Sequence, residues 1–259
     1  MVETGPAYIL GLDLHGTLLE PGEIIRPELV SMVTEGLARI KDRVSRFICT
    51  GNDLQFVKDT VPVEILNEVD GYVLETGCSL SPDGLTEKVL TTKEELKTIW
   101  ELEGEFRRHE FPEINYFAHR LTTISMFCNE PRMLYEKVSG FVKGTPFESQ
   151  VNVTYSSVAV DVLPVGYNKY TGLAAVADDR EIIGVADSMN DQDLLAESEF
   201  SLAPANIAPE LRPLLENAGR DAVPLGEALE LVYGTVLVAE KGETEGVLEI
   251  LEFLDRMLA

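Results

Sequence analysis

Residues 10–19 read LGLDLHGTLL, in which an apolar run ends at Asp13 and a Gly16-Thr17 turn follows. A strand ending this way delivers a carboxylate as a nucleophile would be delivered to a phosphate site. Two positions on stands His15, whose ordinary pKa of about 6.5 lets an imidazole give and take a proton near neutrality. Thr50-Gly51-Asn52 closes the apolar run VSRFIC, and main-chain amides at such a turn suit a phosphate oxygen. Asp187 and Asp191 stand four residues apart in ADSMND, behind the apolar run EIIGV. Lys169, one of 21 basic residues, follows PVGYN.

The elements that must position these groups show in the hydrophobic pattern. Residues 7–13 read as a buried strand and 27–40 (PELVSMVTEGLARI) as an amphipathic helix opened by proline. Strands at 44–49 and 71–74 follow, with a helical stretch from Asp53 between them. This β-α-β-α-β order implies a parallel sheet with right-handed crossovers. The middle third changes character. An SPDG turn at 81–84 leads to a charged helix over about 93–108, an alternating run at 115–129, a helix over about 131–142 and a second alternating run at 151–164. Alternation of this kind reads as antiparallel strands with one wet face. The last third returns to buried strands, 181–187 and 199–204, and ends in an amphipathic helix. The expectation is an α/β protein with a Rossmann-like, three-layer parallel-sheet core and an inserted α+β cap domain: core 1–79, cap 80–162, core 163–259. Asp13, Thr50 and Asp187 all fall at the carboxyl ends of strands, where open α/β sheets bind ligands.

Composition sets the outer bounds. The chain of 259 residues is 45% hydrophobic, which fits a globular protein. Its net charge of −24 argues against binding nucleic acid, which requires basic residues to neutralise phosphates. No apolar stretch approaches the length of a membrane span, and the opening MVETGPAYILGLD lacks the basic start and apolar stretch of a secretory leader, so the expected location is cytoplasmic. Cys49, Cys78 and Cys128 are odd in number and lack zinc-ligand spacing, which fits reduced, buried thiols.

Taken together, DLHGT (13–17), TGN (50–52), Lys169 and ADSMND (186–191) resemble the four motifs of the haloacid dehalogenase-like phosphatases. The likeness is greatest to their Cof-type branch, which carries a cap between the second and third motifs. VLETGCSL (73–80) stands where that branch leads into its cap, LPVGYNKYTGL (163–173) resembles its lysine segment, and APANIAPELR (203–212) the stretch after its fourth motif. The resemblance implies a phosphatase for a small phosphorylated metabolite, such as a sugar phosphate or phosphoglycolate. Asp13 would form an aspartyl-phosphate. Mg²⁺ would be held by Asp13, the His15 backbone carbonyl, Asp187 and Asp191. Thr50, Gly51, Asn52 and Lys169 would bind phosphate, with support from Asn190 and Asn206. Among the cap candidates His119, Arg120 and Lys143, Arg120 is the expected substrate contact. Strand alternation would put it on the face opposite His119.

The chain departs from the family at His15, where the pattern has the aspartate that protonates the leaving oxygen and later activates water. Three outcomes follow: a working histidine acid/base, a leaving group that needs little protonation, or a catalytically weak protein that binds a phosphorylated ligand. A phosphomutase is the further alternative. Oligomeric state is not encoded in any motif here.

Overall fold

The computed structural model describes residues 5–109 and 111–259; Met1–Thr4, the start of the opening stretch read above, and Glu110 lie outside the described residues. The described residues build thirteen strands: β1 (Tyr8–Leu12), β2 (Val44–Cys49), β3 (Gly71–Leu74), β4 (Ser79–Ser81), β5 (Lys88–Val89), β6 (Ile114–Phe117), β7 (Ile124–Cys128), β8 (Val151–Tyr155), β9 (Ala159–Pro164), β10 (Glu181–Val185), β11 (Phe200–Ala203), β12 (Asp221–Pro224) and β13 (Thr235–Val238). Nine form one sheet in the order β12-β13-β11-β10-β1-β2-β3-β4-β5, and four form a second in the order β6-β7-β9-β8.

The large sheet is parallel from β12 to β3, and only the β4–β5 hairpin runs antiparallel at its edge. Its central strands are largely apolar because helices cover both faces; Arg46 in β2 is buried but paired with Asp70. Leu10, Leu12 and Ile48 pack against helices Pro27–Ile40 and Glu243–Met257. Ile9, Phe47 and Cys49 pack against helices Lys169–Ala177 and Leu211–Asn217 on the other side. Helix Pro27–Ile40 begins with proline, which lacks only a hydrogen that the first turn leaves unpaired, and buries Leu29, Val33, Leu37 and Ile40. From β1 the chain winds outwards through β2 and β3 and then returns to β10 on the other flank of β1. That reversal opens a crevice beyond the carboxyl ends of β1 and β10.

The four-stranded sheet is wholly antiparallel. Ile124, Met126, Val160 and Val162 pack on helices Lys93–His109 and Pro131–Val142. The alternate residues Ser125, Phe127, Ala159 and Asp161 line a small pocket with Asp13 and Thr50 of the large sheet. The module is thus a sheet with one face packed on helices and the other laid over the crevice.

Several boundaries differ from the sequence expectation. The run 115–129 is two strands, β6 and β7, parted by a loop from Ala118 to Thr123; His119 and Arg120 lie in that loop, so strand alternation does not govern them. The run 151–164 likewise divides at a turn into β8 and β9. The strand expected at 181–187 stops at Val185, leaving Asp187 in the loop beyond. The segment from residue 80 continues the large sheet as far as Val89, because β4 pairs back onto β3.

The link between β3 and β4 carries three consecutive residues with positive φ: Glu75 (45°), Thr76 (54°) and Gly77 (88°). A side chain at Gly77 would run into the carbonyl oxygen of Asn168, the residue that caps the helix bearing Lys169. Gly77→Ala should therefore destabilise the protein by about 3 kcal/mol. Thermal denaturation should register this as a midpoint roughly 10 °C lower. An unchanged midpoint would mean that the link can relax without disturbing the helix.

Candidate active site

Asp13 stands just past β1, where its backbone N–H donates to the carbonyl of Val185 at 2.9 Å. β10 delivers Asp187, and a short helical turn beyond it, Met189–Asp191, delivers Asp191. Asn168 opens the helix of Lys169 through a reciprocal pair of hydrogen bonds with Thr171, fixing where the lysine starts. The result is a buried cluster. Carboxylate oxygens of Asp13, Asp187 and Asp191 lie within 4.8 Å of one another. Lys169 Nζ donates to both Asp13 Oδ1 and Asp191 Oδ1, each at 2.5 Å.

The electrostatics follow from one cation among three buried carboxylates. Burial, then repulsion from Asp191, raises Asp13 to about 7 despite Lys169. Burial, then repulsion from Asp13 and Asp191, raises Asp187 to about 8. Burial works against the charge on Lys169, but Asp13 and Asp191 overcome it and hold the ammonium above the ordinary lysine range. The cluster thus holds more carboxyl groups than its lysine can neutralise when they ionise, and all its donors are hard oxygens. Both features suit Mg²⁺.

Supporting contacts hold the other members. Thr17 Oγ1 donates to Asp187 Oδ1 at 2.8 Å. Asn206 Nδ2 donates to the Gly16 carbonyl at 2.7 Å and reaches Asp187 Oδ2 at 3.4 Å. Ser188 donates to Asp191 Oδ2 and to Asn190 Oδ1. Gly16 has φ +78°, and a Cβ there would collide with the Asp187 carboxylate. The Thr50 turn leads into the helix Leu54–Thr60. The helix opens at Leu54 with Asp53 as its cap, and the Asn52 N–H already donates to Thr50 Oγ1 at 3.2 Å, so Gly51 and Asn52 precede the helix.

His15 is held on three sides. Its ring lies against Phe56 with centroids 5.4 Å apart, Nε2 is 3.1 Å from Glu23, and Nδ1 is 3.3 Å from Asn52 Nδ2. Arg120 decides how these are protonated. A guanidinium has only donors, so the Asn52 atom it meets is Oδ1, which turns Nδ2 towards His15. Nδ1 must then accept, and the ring proton sits on Nε2 facing Glu23. Burial, together with Lys169 and Arg120, pulls the His15 pKa below its ordinary value, and Glu23 opposes the shift.

Arg120 comes from the loop of the smaller module. It donates to the Gly51 carbonyl at 3.0 Å as well as to Asn52, and it stands 3.5 Å from Asp53. The same loop is pinned by Glu75, whose buried carboxylate accepts the N–H groups of Leu121 and Thr122. His119 and Lys143 are exposed and line neither of the pockets at the cluster. Sequence reasoning passed over Glu23, Glu75 and Asp161. Glu23 had a readable signal, the Pro21-Gly22 turn that folds it back on His15. Asp161 accepts from Ser125 at 2.6 Å, and burial raises its pKa.

No family model matches the chain. It is 25% identical over 234 residues to a phosphomannomutase of Spinacia oleracea, covering 79% of this chain and 92% of that protein. Among solved structures, the sucrose-phosphatase of Synechocystis, in complex with sucrose and phosphate, matches with a TM-score of 0.71 at 17% identity over 96% of this chain and 98% of that one. A HAD/COF-like hydrolase from Plasmodium vivax matches with a TM-score of 0.71 at 17% identity over 99% and 98%. The fold is the HAD fold. In that fold the buried cluster occupies the crevice between the Rossmann-like core and the cap. Among the described residues, no helix is long and apolar enough to cross a membrane.

The raised carboxylates predict a pH-dependent response to Mg²⁺. Asp13 and Asp187 titrate near 7 and 8 when folded, against about 4 when unfolded. The folded chain therefore binds extra protons between about pH 4 and 8, and without metal it loses stability as pH rises through that window. Mg²⁺ bound by these carboxylates would take the place of those protons. Its addition should raise the melting midpoint little at pH 5 and markedly at pH 8, relative to protein in chelator. An equal effect at both pH values would exclude these carboxylates as the binding group.

Proposed function

We propose that the chain is a Mg²⁺-dependent phosphatase that hydrolyses a small phosphomonoester through an aspartyl-phosphate on Asp13. The observation that carries this reading is the Asp13 carboxylate, paired with Lys169 beside two more buried carboxylates, at the switch point of a parallel sheet. A buried pair of this kind is costly to build for stability alone. We assign catalysis to the core, 1–79 and 163–259, and substrate enclosure to the four-stranded module within 80–162.

Asp13, the His15 backbone carbonyl, Asp187 and Asp191 would hold the metal. Bound there, Mg²⁺ supplies positive charge that favours ionised Asp13 and Asp187 and offsets the charge of the phosphate oxygens. In the first step a carboxylate oxygen of Asp13 forms a bond to phosphorus as the bond to the leaving oxygen breaks. Lys169 keeps Asp13 oriented and balances charge on the phosphoryl group. Thr50, Gly51 and Asn52 face the other oxygens. His15 carries the proton. Once the Asn52 amide turns from Nδ1 to the bound phosphate, a protonated Nδ1 gives its hydrogen to the leaving oxygen, and in the neutral form Nδ1 accepts a proton from the water that hydrolyses the aspartyl-phosphate. Glu23 holds Nε2 throughout, and Asn190 and Asn206 brace the carboxylate loops.

Phosphate release from a panel of phosphorylated metabolites tests this reading. Asp13→Asn should abolish turnover. His15→Ala should reduce kcat by about 10² to 10³, in the range of a lost acid/base, and Glu23→Gln by about ten-fold. Full activity in Asp13→Asn would end the proposal. A parent that is silent while His15→Asp is active would identify instead a weak enzyme whose site mainly binds.

The likeness to a phosphomannomutase favours one second reading, transfer of the phosphoryl group to a sugar hydroxyl. Phosphorus NMR on a hexose 1-phosphate separates the two. Hydrolysis gives inorganic phosphate, whereas a mutase gives the isomeric hexose phosphate.

A further inference from the structure

We infer that the site selects phosphomonoesters whose leaving group is neutral or cationic, such as a polyol or amino-polyol, and rejects those bearing a second phosphate or a carboxylate. This rests on the phosphatase reading and narrows its substrate class. From His15, Asp187 and Ser188 a cleft of about 550 Å³ opens between the core and the four-stranded module. It adjoins the small pocket lined by Asp13 and Thr50, sharing His15 and Ser188 with it, so a leaving group would extend into it. Its walls carry Glu20, Glu23, Glu130, Glu210 and Glu243, with Arg132 as the one Lys or Arg among the described lining residues.

The partners of these groups sharpen the point. Arg132 is paired across the mouth with Glu210 at 3.1 Å. Glu20 is paired with Arg26, which stands outside the cleft. Glu23 is matched only by His15, and burial together with Glu20 lifts the Glu243 carboxyl above its ordinary range. Deeper in, Arg120 is committed to Gly51, Asn52 and Asp53, and Lys169 to Asp13 and Asp191. A distal anion would therefore meet uncompensated carboxylates. Tyr155, Val158 and Met189 add apolar surface to the same wall. Carbon–hydrogen faces of a polyol fit against such surface, and an ammonium group gains from an aromatic ring among carboxylates. Transfer of a phosphoryl group to a hydroxyl of a phosphorylated sugar would give a bisphosphate, and among the described residues this cleft offers no unpaired Lys or Arg for its second phosphate.

A matched hexose series tests the inference: glucosamine 6-phosphate, glucose 6-phosphate and 6-phosphogluconate, with Mg²⁺ at low and high salt. kcat/KM should fall about ten-fold or more from the first two esters to the last at low salt, and the gap should narrow at high salt, as screened surface charge requires. Glu130→Lys, at an exposed position, should also narrow it. Calorimetric binding of the same three esters to the Asp13→Asn protein gives a ranking that does not depend on turnover. Turnover with a flat or reversed order overturns charge selection and leaves the phosphatase reading standing. The expected order in binding, without turnover of any ester, upholds charge selection and removes the hydrolase. Binding of none of the three overturns both.

Discussion

The structure depends on one ammonium group buried among carboxylates. Lys169 is 1% exposed, as buried as the apolar core around it, and it can remain charged there only because Asp13 and Asp191 accept its hydrogen bonds. The three side chains reach one another only if the tip of β1, the loop after β10 and the start of the Lys169 helix meet at one point. The meeting is tight. A Cβ at Gly172 would strike Val73 and the main chain of Gly77, and one at Gly16 would strike Asp187. Close packing of this kind is what holds like charges together against their repulsion. It leaves a cluster whose third carboxylate, Asp187, has only neutral donors, Thr17 and Asn206. A divalent cation answers that imbalance in a way that further hydrogen bonds cannot.

A second constraint joins the two sheets. Glu75, in a left-handed backbone conformation, accepts hydrogen bonds from the loop before β7, and Arg120 of that loop closes on Gly51 and Asn52. Each contact crosses from the core to the smaller module. Through Asn52, the second also decides which nitrogen of His15 carries hydrogen. The position of the smaller module and the protonation of the candidate shuttle are thus the same structural fact. Separation of the two modules would free the Asn52 amide and, with it, the tautomer of His15.

Much of this was legible in the sequence because the central strands are buried on both faces. Such strands are largely apolar, and the runs at 8–12, 44–49 and 71–74 stand out against polar turns even with Arg46 in the second. The helix at 27–40 declared itself by its proline and its spacing. The outer strands gave no such signal: β12 lies exposed at the sheet edge, and β5 is two residues long. The site divides in the same way. Asp13, Lys169, Asp187 and Asp191 follow apolar runs or turns that fix their direction. Arg120 sits in a loop whose path depends on Glu75, forty-five residues earlier. The face of β9 that carries Asp161 depends on which side its helices cover. Neither follows from local pattern.

The acidity of the chain, which argues against nucleic acid, takes on a further meaning beside this geometry. A net charge of −24 repels every phosphate ester at long range, so attraction must come from the few atoms that face the phosphoryl group. On the proposed function Lys169 and a bound cation would supply it within a few ångströms, in a buried setting where electrostatic interactions are strong. The carboxylates of the cleft oppose it over a longer distance. Strong local attraction with weaker distal repulsion favours a ligand whose negative charge is confined to one end. A bisphosphate gains nothing from its second anion here and meets the repulsion in full. The same acidity that weakens binding overall therefore separates one phosphorylated molecule from another.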